Sequence, residues 1–120
     1  MKQLKFLTMI TVLLLGTHSF ASAIDCYKKG TQNSLEYYVT MHLCRLANST
    51  APVDCYLDAQ KDPALSQELS IAGMVLLCGG PTSGKDRISC YKDGRKESNK
   101  QLLDAYQTLY LCAGSWDLVW

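Results

Sequence analysis

The chain has 120 residues, of which 48% are hydrophobic and 19% are charged, and its formal net charge at pH 7 is +1. This hydrophobic content, combined with a net charge near zero, argues against an intrinsically disordered chain. The length excludes a second large domain, and the charge balance gives no reason to expect a nucleic acid as partner.

The first residues predict a secretory signal peptide. Two lysines precede an apolar run from residue 6 to residue 16, and the small residues Ala21-Ser22-Ala23 follow. This order predicts a signal peptide over residues 1–23, cleaved after Ala23. The alternative is a membrane anchor, but the run is too short for a hydrocarbon core of ~30 Å. We therefore expect an exported chain of residues 24–120, periplasmic or extracellular, with no membrane span.

All six cysteines lie after the predicted cleavage site. An even number of cysteines in a small exported chain predicts a disulfide framework and therefore an oxidising compartment. Metal binding is the alternative, but the sequence contains no Cys-x-x-Cys pair and no His-x-x-x-His pair, so we expect no metal and no other cofactor. The cysteines are Cys26, Cys44, Cys55, Cys78, Cys90 and Cys112.

The cysteines also mark a motif that occurs three times. Each occurrence begins with an apolar residue, Asp or Ser, Cys and Tyr, and it ends with Leu-x7-Leu-Cys. The resulting units cover residues 24–52, 53–87 and 88–120, a period of about 33 residues that is typical of stacked helical hairpins. The chain resembles tetratricopeptide-like arrays in architecture only. It lacks their diagnostic residue spacings, so the resemblance implies no function and no functional residue.

The second half of each unit shows helical periodicity. Leucines and aromatic residues recur there at spacings of three and four, as on one face of a helix. Typical start signals are the capping-box pairs Asn33–Glu36 and Ser98–Gln101 and the pair Asp62-Pro63. Typical stop signals are Gly79-Gly80, Gly114 and Asn48.

The first half of each unit predicts a shorter helix. Asp25, Asp54 and Ser89 are typical N-cap residues, which would place the following Cys at the first helical position and Tyr at the second. Gly30 and Gly94 would then end two of these helices after one or two turns. Propensity alone does not hold so short a helix, so we expect a disulfide to hold each one.

Two disulfide pairings respect the three units. Pairing between units gives Cys44–Cys55 and Cys78–Cys90 and leaves Cys26 to reach Cys112 across the whole stack. Pairing within units gives Cys26–Cys44, Cys55–Cys78 and Cys90–Cys112. We favour the second because an antiparallel hairpin brings its two ends within the Cα distance of ~4.4–6.8 Å that a disulfide needs. The predicted fold is therefore all-α, with three tandem disulfide-closed helical hairpins stacked as one domain.

Few residues point to catalysis. Residues 79–85 match the phosphate-binding pattern GxxxxGK, but Asp86 stands where a Ser or Thr should follow, so we interpret this segment as a linker. His42 is the only histidine after the predicted cleavage site, and we expect it at a partly buried interface. The carboxylates show no spacing typical of a catalytic pair. We therefore predict that the protein is not an enzyme.

Aromatic residues form the candidate contact surface. Tyr27, Tyr56 and Tyr91 recur at one position of the motif, and we expect them to pack against neighbouring units. Other tyrosines lie on the second helices, which cannot turn all of them inward. Two tryptophans follow near the C-terminus and either cover the last unit or anchor a partner. The candidate contact residues are Tyr37, Tyr38, Tyr106, Tyr110, Trp116 and Trp120.

These features predict a small exported binding module whose partner is a protein or a surface ligand. The alternative is a carrier that holds a small hydrophobic ligand, a lipid or an aromatic compound, in the helical interior. An apolar cavity distinguishes the two, because a carrier needs one and a repeat module does not.

Overall fold

A computed structural model of the chain describes residues 22–81 and 85–113, and in this part the chain is all-helical. The signal-peptide prediction for residues 1–23 lies almost wholly outside the described residues, as do Gly114, Trp116 and Trp120. The helices are α1 (residues 22–32), α2 (Tyr37–Cys44), α3 (Ala51–Lys61), α4 (Pro63–Glu68), α5 (Ile71–Cys78), α6 (Lys85–Gly94) and α7 (Ala105–Cys112).

Three disulfides join these helices into hairpins. The bond Cys26–Cys44 joins α1 to α2, Cys55–Cys78 joins α3 to α5, and Cys90–Cys112 joins α6 to α7. The Cα–Cα distances are 5.5, 5.4 and 5.7 Å, respectively. These are the bonds of the within-unit alternative. The second helix of each hairpin has eight residues and ends at its disulfide cysteine.

The first helix of each hairpin differs from the sequence expectation. Asp25, Asp54 and Ser89 lie inside α1, α3 and α6, so their prediction as N-caps was wrong. The reason is clearest in α3, which begins after Thr50. Pro52 lies in its first turn, where a missing N–H costs nothing, and the buried ring of Pro52 packs into the core ahead of the cysteine.

The second helices begin later than predicted. Glu36 is the N-cap of α2 and makes no side-chain capping bond, and the capping box of α7 is formed by Asp104 and Gln107, so both predicted capping boxes were wrong. The leucine pattern caused the error. Leu35 and Leu69 pack against the core from positions just before the N-caps, so the apolar pattern extends beyond the helices themselves.

Asp62 and Pro63 do start a helix, but it is a separate one. The Asp62 carboxylate accepts a hydrogen bond from the Ala64 N–H at 3.0 Å and caps α4, whereas α5 has its own N-cap, Ser70. Among the stop signals, Gly79 is the C-cap of α5, and Gly80 takes a left-handed φ of 104°. Helix α2 ends ahead of Asn48, and Leu46 takes the left-handed φ of 57° there.

Helix α5 lies in the middle of the molecule and contacts both α2 and α7. Its partner α3 contacts α2 on one side and α6 on the other, so the second hairpin separates the first from the third. The buried Arg87 on α6 donates hydrogen bonds to the carbonyl oxygens of Leu77 and Gly79, at 3.1 and 2.7 Å. These bonds satisfy carbonyls that the end of α5 would otherwise leave unpaired.

A glycine–threonine contact sets the distance between helices in the first and third hairpins. Gly30 lies against Thr40, and a Cβ atom at position 30 would clash with the threonine methyl group. Gly94 lies against Thr108 in the same way, and a Cβ atom there would lie 2.5 Å from the methyl carbon. Both threonines are buried, so neither has room to move aside.

We expect Gly30→Ala to destabilise the protein by about 1–2 kcal/mol, because overpacking outweighs the gain in helix propensity. Adding Thr40→Ser removes the clashing methyl group and should recover most of that loss. Gly73→Ala is the matched control, since its Cβ would lie 3.3 Å from the flexible end of Leu69. Urea unfolding of the variants measures these differences. A Gly30→Ala protein as stable as the parent would contradict the close approach of α1 and α2.

The third disulfide should be reduced first. Cys90 is exposed, whereas the other five cysteines are buried. Thiol–disulfide exchange requires access to a sulfur atom. Under limiting reductant followed by alkylation, we therefore expect Cys90 and Cys112 to be labelled roughly tenfold or more faster than the cysteines of the central bond. Mass spectrometry of the labelled peptides gives the order, and equal rates for the central and third bonds would contradict it.

Candidate interaction surfaces

The first turns of α2, α5 and α7 form an exposed, largely aromatic set that we call the lateral surface. Its members are Tyr37, Tyr38, Ile71, Ala72 and Tyr106, all of them exposed. They occupy the first and second positions of α2 and α5 and the second position of α7. Because α5 contacts both α2 and α7, these turns belong to neighbouring helices.

Acidic residues border the lateral surface. Glu36 is the N-cap of α2, and its charge raises the pKa of the neighbouring Tyr38 hydroxyl. Asp104 is the N-cap of α7, where its carboxylate accepts a hydrogen bond from the Gln107 N–H at 2.7 Å. Tyrosine rings beside carboxylates suit a partner that presents apolar and basic side chains.

A groove lies at the end of the stack formed by the first hairpin. It has a volume of about 550 Å³ and lies between α1 and the C-terminal half of α2. Ile24, Met41 and Leu46 are exposed in its lining, and His42 is half-buried there. The groove is therefore mostly apolar, with Arg45 at its edge.

A smaller hollow of about 270 Å³ lies at the opposite end, on the surface of α7. It is lined by the last two turns of this helix together with Leu103. Tyr110 and Leu111 are exposed there. The predicted contact residues Tyr106 and Tyr110 thus lie at this hollow, whereas Tyr37 and Tyr38 lie on α2.

The sequence did not single out Ile24, Met41, Leu46 and Leu111, which are as exposed as the tyrosines. Their residue type gives no indication of this exposure. Met41 and Leu111 stand at positions where the other hairpins bury Val75 and Leu77, so only a comparison of burial between hairpins identifies them.

The three tyrosines that follow the first cysteines are not equivalent in the structure. Tyr56 and Tyr91 are buried, whereas Tyr27 is only half-buried and lines the groove of about 550 Å³. The Tyr91 hydroxyl makes no hydrogen bond within the described part of the chain. Burial raises the pKa of Tyr91 to about 12, and the nearby charge of Glu68 adds to the effect.

Other chemical groups are dispersed. Within residues 22–81 and 85–113, no three His, Cys, Asp or Glu side chains cluster as metal ligands would. The helices of the described ranges are all too short or too polar to cross a membrane. The GxxxxGK segment runs from the end of α5 to the start of α6, and its residues 82–84 lie outside the described residues.

We expect Tyr91 to make stability fall at alkaline pH. An unfolded tyrosine loses its proton near pH 10, whereas the folded protein holds the Tyr91 proton up to about pH 12. Between these values the unfolded chain binds fewer protons, so the free energy of unfolding falls as the pH rises, by up to roughly 3 kcal/mol.

Urea unfolding at a series of alkaline pH values measures this fall. Tyr91→Phe should remove most of it, because the buried Tyr56, whose pKa is also raised by burial, accounts for the rest. The variant should leave stability near neutral pH unchanged or higher because the replaced hydroxyl is buried without a hydrogen bond. Tyr37→Phe, which alters an exposed ring, is the control and should keep the fall. An unchanged alkaline loss in Tyr91→Phe would rule out this residue as its source.

No protein-family model, curated protein or solved structure matches the chain. The likeness to tetratricopeptide-like arrays therefore rests on the period of the sequence and on the paired helices alone. The described residues thus expose a largely aromatic lateral surface and two apolar hollows at opposite ends.

Proposed function

We propose that the protein is an exported, non-catalytic binding module built as a threefold tandem repeat. The observation that carries this proposal is the lateral surface, where tyrosine rings lie exposed on a disulfide-closed helical frame. Exposed aromatic residues on a rigid frame provide contact area at low cost in conformational entropy. The partner that fits is a protein that presents apolar and basic groups to these rings and to Glu36 and Asp104.

Two features support the tandem repeat. Helices α2, α5 and α7 have the same length and end at the same motif position, and each is closed by a disulfide to the preceding long helix. The pairs Gly30–Thr40 and Gly94–Thr108 occupy matching motif positions and make the same close contact. The central hairpin has the larger Ala59 in place of these glycines.

Export is supported by the chemistry of the cysteines. All six are paired in a chain of 120 residues, which is typical of proteins that fold in an oxidising compartment. We propose that residues 1–23 are the signal that takes the chain there. N-terminal sequencing of protein recovered from the exported fraction should find Ile24 first, whereas a retained leader would contradict this part of the proposal.

The lateral surface is tested by replacing its three tyrosines with serine, Tyr37→Ser, Tyr38→Ser and Tyr106→Ser. Partners are first captured from the exported fraction by tagged parent protein and identified. Because exposed tyrosines at the centre of an interface each carry about 2 kcal/mol, affinity for a captured partner should fall roughly 30-fold or more.

Leu102→Ser is the matched control, since Leu102 is equally exposed but lies outside the lateral surface. It should leave binding unchanged, and circular dichroism should show that both variants are folded. If the tyrosine variant retained every captured partner with parental affinity, the lateral surface would not be the binding site.

The groove of about 550 Å³ supports a second candidate function, a carrier of a small apolar ligand. Its volume is within the ~300–1,000 Å³ typical of ligand pockets, but it lies at one end of the stack rather than in the helical interior. Native mass spectrometry of gently purified protein should show an added mass if this is correct. A mass equal to that of the chain alone would contradict a carrier.

A further inference from the structure

One end of the stack exposes positions that the other two hairpins bury. Three residues before the second cysteine, Met41 is 50% exposed, whereas Val75 and Leu109 are 0% and 7% exposed. Two residues before the first cysteine, Ile24 is likewise exposed, whereas Val53 is buried and Ile88 is partly buried against the core. The hairpins that bury these positions both follow another hairpin, so the positions face the preceding hairpin. We call Ile24, Tyr27 and Met41 the head face.

The opposite end shows the reverse pattern. Directly before the second cysteine, Leu43 and Leu77 are fully buried, whereas Leu111 is 65% exposed. The first cysteine of the third hairpin, Cys90, is also exposed, although its two equivalents are buried. These positions are buried only where another hairpin follows, so they face the following hairpin. Five residues before the second cysteine, Gln107 is likewise exposed, whereas its equivalents Val39 and Gly73 are buried. We call Cys90, Gln107 and Leu111 the tail face.

We propose that the head face of one copy docks on the tail face of a second copy, so that the stack of hairpins continues from chain to chain. The inference rests on the tandem repeat proposed above. We choose a second copy as the partner because equivalent faces already meet inside the molecule. They meet once between the first and second hairpins and once between the second and third.

Charges set the expected strength of this contact. Lys92 and Asp62 pair at 2.9 Å between the third and second hairpins, and counting from the cysteines places Lys28 against Glu97 in the same way across two copies. Lys29 pairs with Asp54 between the first and second hairpins, but the matching residues across two copies are Asp93 and Asp25. Asp93 and Glu97 are also paired with Lys96 and Lys100 of their own chain, at 2.8 and 2.9 Å. These charges therefore predict only a modest association between copies.

The contact is heterologous, since two different faces of the chain meet. Such an interface leaves one head face and one tail face unused in every open assembly. Copies can therefore add in series, and the assembly stops only if the rotation between copies closes a ring. A symmetric dimer, in which two head faces or two tail faces meet, is a different arrangement. The experiment below distinguishes it from head-to-tail association.

Sedimentation velocity over a series of concentrations tests the proposal on protein purified from the exported fraction. Met41→Asp places a charge on the head face, and Leu111→Asp places one on the tail face. Each should weaken association at least roughly 30-fold. Ile71→Asp is the matched control, because Ile71 is 49% exposed but belongs to neither face, and it should associate like the parent.

Mixing the two variants is the decisive measurement. The Met41→Asp chain keeps an intact tail face and the Leu111→Asp chain keeps an intact head face, so an equal mixture should form a dimer that neither forms alone. Dimers of Leu111→Asp alone would indicate a symmetric head contact and would overturn the proposal. A parent chain that stays monomeric at every concentration would overturn it too.

A further variant, Asp93→Lys, is expected to strengthen the association. It places a lysine opposite Asp25, as Lys29 lies opposite Asp54 inside the molecule, and it should tighten association about fivefold at low salt. No gain would overturn the proposed register. Tyr106 lines the same hollow as the tail-face residues Gln107 and Leu111. The two results are therefore separated by a Tyr37→Ser, Tyr38→Ser variant that keeps Tyr106, which should lose partner binding and still associate like the parent.

Discussion

The disulfide at the last residue of each second helix is the constraint on which the structure depends. Helices of eight residues are too short to be stable alone in water, and α2, α5 and α7 all have that length. Each bond closes a loop of about 20 residues and so stabilises the fold by ~3 kcal/mol in the chain-entropy model. Because the disulfides hold the helices together, Gly30 lets α2 approach α1 closely. A small hydrophobic core is then sufficient to keep the chain folded.

The central hairpin is enclosed by its neighbours, and this position explains its composition. Helix α5 is buried on both sides because it contacts α2 and α7, and its only strongly exposed residues lie in its first turn. The outer hairpins have a neighbour on one side only. Residues of similar type therefore have different exposures, as Leu77 and Leu111 show. Exposed apolar area at the two ends follows from the architecture, because each outer hairpin lacks one of the two neighbouring hairpins that the central one has.

Helical character followed from the sequence, because the spacing of apolar residues and the period of the repeated motif both indicated helices. The first residue of each helix could not be predicted in the same way. Leu35 and Leu69 lie before the N-caps and yet pack in the core, and Pro52 rather than Asp54 marks the first turn of α3. The tyrosines of the lateral surface were foreseen from their number alone. The end faces were not foreseen. Met41 and Leu111 are apolar like their buried equivalents, and they are exposed only because no hairpin of the described chain packs against them.

The two seams between hairpins differ in the groups that join them. Lys29 and Asp54 join the first seam through an ion pair. At the second seam the Arg87 guanidinium binds two backbone carbonyls, and it stays charged although burial lowers its pKa. Among the described residues, the ion pairs Lys92–Asp62 and Arg95–Glu68 also join the second seam. The third hairpin is therefore attached to the second by several polar bonds, whereas the first hairpin depends more on the packing of its apolar side chains.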